Sequence, residues 1–230
     1  SHTITVRATS TDGSSTTEDF TIAVTDVDEF DVSPISDLDA AAESVVENSP
    51  LTTAAGFTAF ASDGDVTDSV SYSLDDDAGG RLTIDEISGV ISTSGDIDFE
   101  ADSQLDIRVR ATSTDGSSAT RDVTVSGVDL NDNIPVITPG QLLSFSEFAA
   151  NLTVVGTLAA TDPDTVGGLQ NWQITDGNAL GVFSLDAGSG VLSIADNSTV
   201  NFEVTSSYML TVLVEDGANT SVAETVTVSV

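Results

Sequence analysis

Carboxylates are the side chains through which this sequence could do chemistry, and they gather in short acidic segments. The chain has 38 Asp and Glu residues against five Arg and no Lys, which gives a formal net charge of −33. Between residues 45 and 135 these segments include 45–48, 63–65, 98–100 and 129–135. Calcium is a hard cation that takes about six to eight oxygen ligands. Acids that alternate along an extended linker, with backbone carbonyls between them, would present such oxygens to one side, so these segments predict calcium sites.

The same inventory excludes most other chemistry. The chain has no Cys and one His, His2, so it lacks the material for a zinc site or a nucleophile–base pair. Paired carboxylates can hydrolyse glycosides, but such sites usually need an aromatic-lined cleft, and we expect the single Trp, Trp172, in the core. A surface this acidic repels nucleic acid and anionic membranes, and no apolar run of about 18 residues occurs. We therefore predict no enzyme, no nucleic-acid partner and no membrane insertion.

A repeat of about 103 residues organises the acidic segments. Residues 5–17 (TVRATSTDGSSTT) and 108–120 (RVRATSTDGSSAT) match at this offset, and a weaker third copy occupies 210–230. The period predicts complete units at 31–133 and 134–230. Residues 1–30 match only the last two strands of a unit and its linker, so we expect the chain to be a segment of a longer array. Alternatively, this ribbon completes the sandwich of a neighbouring chain.

Within each unit the hydrophobic period is two. Stretches such as RVRATS and TVTVSV alternate polar and apolar residues, and Asp-Gly and Ser-Gly turns separate them. With 39% hydrophobic residues and abundant Val, Ile and Thr, the pattern predicts a folded all-β protein of antiparallel sandwiches with about seven short strands per unit. In the second unit we expect strands near 43–47, 53–61, 69–74, 81–85, 89–93, 105–113 and 120–129.

The acidic segments resemble the motifs of cadherin repeats, and the resemblance covers essentially the whole chain. Those repeats carry V-x-E-N, D-x-D, L-D-x-E and D-x-N-D-N-x-P motifs. This chain has, in the same order, Val45-Val46-Glu47-Asn48, Asp63-Gly64-Asp65, Ile97-Asp98-Phe99-Glu100 and Asp129–Pro135. The resemblance implies tandem Greek-key, immunoglobulin-like β-sandwich repeats arranged end to end, with calcium ions between successive repeats.

At the second junction the resemblance implies ligands from both units and from the linker. The second unit would supply Glu47, Asp98 and Glu100, the linker Asp129, Asn131 and Asp132 with the carbonyls of Leu130 and Asn133, and the third unit Asp162, Asp164 and Asp216. Eight of these residues are carboxylates. Without calcium, each close pair would repel by up to about 4 kcal/mol at a surface-like dielectric constant. We therefore expect a junction that is rigid with calcium and loosely hinged without it.

The first junction is a partial copy of the second. Its linker would supply Asp26, Asp28 and Glu29, and the second unit would supply Asp63, Asp65 and Asp115. Asp115 lies in a loop two residues longer than that of Asp216, and we expect fewer calcium ions here. In the last unit, Glu147, Asn201 and Glu203 occupy the matching places and would face a further junction.

Together these features favour a calcium-dependent adhesive or structural segment of an extracellular or cell-surface protein. Its expected partners are calcium ions and other repeats of the same protein, while an export signal or anchor would lie outside this chain. One alternative is a carbohydrate-binding module that binds surface glycans through an exposed aromatic platform. Another is a calcium-dependent filament built by homotypic assembly through residues 1–30. A salt-adapted acidic surface would explain scattered acids, but not the ordered motifs.

Overall fold

The computed structural model describes residues 1–25, 27, 29–65 and 67–230, and every regular element within them is a β-strand. The strands up to residue 128 are β1 (His2–Thr9), β2 (Ser15–Ile22), β3 (Ser36–Asp37), β4 (Ser44–Val46), β5 (Ala54–Phe60), β6 (Val70–Asp76), β7 (Leu82–Ile84), β8 (Val90–Thr93), β9 (Gln104–Ser113) and β10 (Ser118–Val128). Those that follow are β11 (Val136–Ile137), β12 (Leu142–Ser144), β13 (Val154–Thr157), β14 (Ala160–Thr161), β15 (Gln170–Asp176), β16 (Phe183–Leu185), β17 (Val191–Ile194), β18 (Ser207–Glu215) and β19 (Glu224–Ser229). The predicted all-β class is confirmed.

The chain forms two compact units. The first contains Ser1–Glu43, Leu51–Gly95 and Asp106–Val125, and the second contains Ser44–Pro50, Asp96–Leu105 and Ser126–Val230. The short segments 44–50 and 96–105, which carry acidic motifs of the second repeat, therefore belong to the same unit as the third repeat. The repeat boundaries at residues 30 and 133 remain predictions.

In the first unit, β1 and β2 form a hairpin, while the second repeat supplies the other strands. The hairpin places Ile4 opposite Phe20, and both side chains stay half exposed. The residues one repeat later, Ile107 and Val123, are buried in β9 and β10. A four-stranded sheet of order β3-β5-β8-β7 and the antiparallel β6–β9 pair complete the unit. All seven strands predicted for this repeat are present as β4 to β10, whereas the two-residue β3 was not predicted.

The second unit has a core of its own. Its main sheets have the orders β12-β19-β18-β15 and β13-β17-β16. Phe183 packs edge-on against Tyr208, with ring centroids 5.2 Å apart. Trp172 belongs to the same cluster and is only 4% exposed, which confirms that it is a core residue.

Two short strands of the second unit pair in parallel, which the sequence did not predict. Val45 of β4 pairs with Gly127 of β10, and Leu143 of β12 pairs with Val228 of β19. Alternation reports which face of a strand is buried, but it is the same for both strand directions. The β4–β10 pairing matters for the site, because it brings the residue after β4 next to the linker that follows β10.

Glycine at position 56 tests how tightly the first unit is packed. Gly56 has φ 76°, and a Cβ atom there would lie 2.0 Å from the carbonyl oxygen of Ala42, whereas Gly79 has φ 72° and open space around it. We expect Gly79→Ala to lower the free energy of unfolding by about 1–2 kcal/mol, the cost of a left-handed L-residue. Gly56→Ala should lose about 1–3 kcal/mol more, because the backbone must shift. Urea unfolding in calcium measures both variants, and equal losses would contradict the steric argument.

Candidate metal centres

Glu47 joins three segments of the second unit through its buried carboxylate. It follows β4 and is only 2% exposed. One carboxylate oxygen accepts a hydrogen bond from the backbone N–H of Phe99, and the other accepts from that of Leu130, both at 2.7 Å. A buried carboxylate satisfied on both oxygens holds its neighbours firmly, since a charge-assisted hydrogen bond is stronger than a neutral one. Glu47 therefore fixes the 98–100 segment and the start of the linker against the end of β4.

Glu47 also belongs to the first of three acidic groups in this unit. One carboxylate oxygen each from Glu47, Glu100 and Asp132 lies within 4.8 Å of the others. The side-chain amide of Asn48 donates to Asp132. Asp98 lines the same pocket but is exposed, and its Oδ1 accepts the N–H of Ala101 at 3.0 Å. The structure thus brings three predicted ligands together here and places Asp98 at the edge of the group.

The second group contains acids from the second repeat, the linker and the third repeat: Glu100, Asp129 and Asp164 lie within the same 4.8 Å limit. Asp129 Oδ2 accepts the N–H groups of Thr165 and Val166, at 2.5 and 3.2 Å, and the Thr165 hydroxyl. Asp129 Oδ1 is buried and, among the described residues, has no donor. A buried acceptor without a donor is costly, and a cation would satisfy it.

The third group consists of Asp162, Asp164 and Asp216. Asp216 follows β18 and is only 1% exposed; its Oδ1 accepts the N–H groups of Ala218 and Asn219, at 2.7 and 2.6 Å. Asp162 Oδ1 accepts the N–H of Asp164 at 3.2 Å, whereas its Oδ2 is buried with no donor in the described part of the chain. Here too an oxygen is held in place by the fold and left free for a cation.

Amide side chains hold the linker against the third repeat. Asn133 donates to Asp164 from its backbone N–H at 3.0 Å and from its side chain at 2.8 Å. Asn131 donates to the carbonyl of Asp216 at 3.3 Å. Asn219, which sequence reasoning missed, donates to the carbonyl of Asn133 at 2.9 Å and to Asn131 Oδ1 at 3.2 Å. Its position three residues after Asp216, in the same turn, was the only available signal.

Burial and mutual repulsion raise the pKa of two of these acids, whereas hydrogen bonds lower the pKa of a third. Burial, and then the negative charges of Asp164 and Asp216, raise the pKa of Asp162. Burial, and then Glu47 and Asp129, raise the pKa of Glu100. Burial also acts to raise the pKa of Asp129, but hydrogen bonds from Thr165 and Val166 outweigh it and lower this pKa. For Asp162 and Glu100, hydrogen bonds therefore do not offset burial and repulsion in the absence of a cation.

Among its described residues, the first unit holds one group of three close acids, and the membership of this group differs from the predicted set. Asp63 and Asp115 lie together with Asp68, which was not predicted. Asp65 is buried instead under the linker, where its Oδ2 accepts the N–H groups of Glu29 and Phe30, at 3.2 and 3.1 Å. The predicted ligands Asp26 and Asp28 lie outside the described residues. The contact between Glu29 and Asp65 is thus made by the backbone N–H of Glu29.

The last repeat reproduces part of the Glu47 arrangement. Glu147 Oε2 accepts the N–H of Phe202 at 3.1 Å, as Glu47 does with Phe99. Asn201 Oδ1 accepts the N–H of Val204 at 3.1 Å. Among the described residues, Glu147 and Glu203 belong to no group of three close acids. Their role as ligands of a further junction stays a prediction.

Comparison with known proteins gives the family. The family model of the cadherin domain matches residues 42–129 and 141–230, and the chain belongs to the cadherin family. It is 31% identical to human protocadherin Fat 1, over 98% of this chain and 5% of that protein. It is also 31% identical to the protein dachsous of Drosophila melanogaster, over 86% of this chain and 6% of that protein. The chain thus spans only a small part of these relatives.

Solved structures show the same fold. The crystal structure of mouse cadherin-23 EC22-24 matches with a TM-score of 0.72 at 21% identity, over 99% of this chain and 73% of that chain. The protocadherin gammaB4 extracellular domain matches with a TM-score of 0.70 at 20% identity, over 99% of this chain and 37% of that one. The prediction of cadherin-type β-sandwich repeats is confirmed. The described residues form no helix long and apolar enough to cross a membrane.

The raised pKa of Asp162 gives a test of the uncompensated charge. In chelator at pH 7, Asp162→Asn should raise the free energy of unfolding, because the ionised carboxylate is disfavoured in the folded state. An acid whose folded pKa is raised contributes stability below its unfolded pKa and loses it as the pH rises through the folded value. The gain should therefore disappear toward about pH 3.5, below the ordinary Asp value of about 3.9. A gain of equal size at both pH values, by chemical unfolding, would indicate packing and not charge.

Proposed function

We propose that this chain is a calcium-binding segment of an extracellular adhesive or structural protein, in which calcium couples the second repeat to the third. The observation that carries the proposal is the group of Glu100, Asp129 and Asp164, because it joins acids of one repeat, the linker and the next repeat. The Asp129 carboxylate of this group has a buried Oδ1 without a donor among the described residues. Oxygen-only, strongly anionic donor sets suit calcium.

The residues divide into ligands and supports. The carboxylates of Glu47, Glu100, Asp129, Asp132, Asp162, Asp164 and Asp216 would hold calcium, which supplies the positive charge that their mutual repulsion lacks. Asp98, at the edge of the first group, remains a candidate ligand. Asn133 and Asn219 position the linker, since their side-chain amides already donate to Asp164 and to a backbone carbonyl. The Asn133 carbonyl accepts one of these bonds and retains a second lone pair for a cation.

The surrounding observations favour adhesion or structure over the alternatives. Trp172 is buried, so it cannot serve as the exposed platform that a carbohydrate-binding module needs. The acidic groups lie at strand ends and in a linker, where they join backbone segments. One structural relative is described as a protocadherin gammaB7 EC3-6 cis-dimer, and this supports assembly with other cadherin repeats as the role of the present chain. A calcium-dependent filament is the narrower form of that role.

Calcium should raise the melting temperature, and one matched pair of variants tests where it acts. Ligands that bind only the folded state stabilise it by about 2.7 kcal/mol at 100 times Kd. Glu47→Gln should remove most of the rise in melting temperature that comes from calcium bound at the group of Glu47, Glu100 and Asp132, because the substitution deletes a buried carboxylate of that group. Glu147→Gln makes the same change beside Phe202, but among the described residues Glu147 belongs to no such group, so this variant should keep the full rise. Equal calcium responses in both variants and the wild type would contradict the proposal.

Hydrogen exchange can show whether calcium holds the linker. Removing calcium should speed exchange of the Asn133 and Thr165 amides by tenfold or more, on the order of 1.4 kcal/mol, because these amides donate to Asp164 and Asp129 across the linker. The amide of Val212 lies in the core strand β18 and serves as the internal control. Unchanged protection of the linker amides on chelation would rule out a calcium-dependent junction.

A further inference from the structure

The acidic loop of the second repeat differs from that of the third at one informative position. Counting from the paired aspartates, Asp68 follows Asp63 and Asp65 where Gly167 follows Asp162 and Asp164. A Cβ atom on Gly167 would lie 2.3 Å from the side-chain nitrogen of Asn131, so the linker side chain fills the space beside this glycine. The loop of the third repeat has room there for a linker amide, whereas the loop of the second repeat carries its own carboxylate.

We infer that Asp68 is a calcium ligand that the third repeat lacks and that it completes, with Asp63 and Asp115, a site formed by the loops of the second repeat alone. Carboxylate oxygens of these three residues lie within 4.8 Å of one another. Asp65, the residue that the motif pointed to, has its Oδ2 engaged by two linker N–H groups. The Thr114 hydroxyl donates to Asp68 Oδ1 at 2.5 Å and so orients the carboxylate toward the group.

Two buried polar atoms at this group have no hydrogen-bond partner among the described residues. Ser113 is only 3% exposed, and its hydroxyl has no hydrogen-bond partner in the described part of the chain. It lies beside Asp63. Asp63 Oδ2 is also buried without a donor among these residues. In the third repeat the position two residues before the aligned aspartate is the buried, apolar Val214, so the third repeat lacks this hydroxyl as it lacks Asp68.

Three carboxylates and a hydroxyl make an oxygen-only site with three negative charges, which suits a hard divalent cation. Because all four side chains come from the second repeat, binding here would not require the acids of the 26–29 linker. This inference rests on the proposed calcium-binding function. It goes beyond that function by assigning a ligand outside the recognised motifs and by separating this site from the junction groups.

Calcium titration calorimetry on the full chain tests the assignment. Asp68→Asn keeps the acceptor for Thr114 and removes one charge, so one class of sites should weaken roughly tenfold or more, since ligand charge sets calcium affinity. Asp39→Asn, an exposed turn aspartate of the same unit, is the matched control and should titrate like the wild type. Asp164→Asn should weaken a different class, and the double variant of residues 68 and 164 should show both losses.

The outcomes separate this inference from the proposed function. If Asp68→Asn titrates like Asp39→Asn while Asp164→Asn loses affinity, Asp68 is not a ligand and the junction proposal stands. If the wild type binds no calcium at millimolar concentration, both fail. Ser113→Ala, which changes no charge, should weaken the same class as Asp68→Asn by a few fold, and it decides the question if Asp68→Asn does not fold. Unaltered affinity in Ser113→Ala and loss only from unfolding in Asp68→Asn would overturn the inference.

Discussion

Repulsion between carboxylates that the backbone holds close together is the constraint on which this structure depends. Glu47 and Asp216 are buried, and each accepts two backbone N–H groups, so these acids cannot move apart without breaking hydrogen bonds. Their neighbours Glu100 and Asp162 have raised pKa values, chiefly through burial and then through nearby negative charge. A fold that fixes acids in this way gains stability when a cation enters. Binding of a divalent cation and ordering of the linker would then be coupled.

The repeats use one scaffold and vary its chemistry at single positions. Glu47 and Glu147 accept the N–H of Phe99 and Phe202 in the same way, yet only Glu47 lies in a group of three acids among the described residues. The pairs Asp68 and Gly167, and Ser113 and Val214, show similar exchanges in the loops. A tandem array can thus keep its strands constant while individual sites differ in charge and in their dependence on the linker.

The strands and the loops of the molecule carry different kinds of side chain. Three aromatic residues of the second unit, Trp172, Phe183 and Tyr208, pack in its core. On the second repeat, an outward row of a sheet is occupied by ion pairs such as Arg110 with Asp75 and Arg108 with Asp122. Exposed pairs of this kind contribute little stability. The concentrated chemistry therefore lies at the loops and linker.

The sequence by itself determined the all-β class, the seven strands of the second repeat and most members of the acidic groups. Period-two alternation and turn residues are local signals, and the ordered motifs carry the identity of residues such as Glu47, Asp129 and Asp164. Only the tertiary structure decided the parallel β4–β10 pairing, the position of Asp68 beside Asp63 and Asp115, and the bridging hydrogen bonds of Asn219. Each of these depends on which segments pack together although they are far apart in sequence. Each also depends on which N–H groups donate to a given carboxylate in the folded state. Spacing along a chain specifies neither, because hydrogen-bond competition is settled only when the loops are packed against one another.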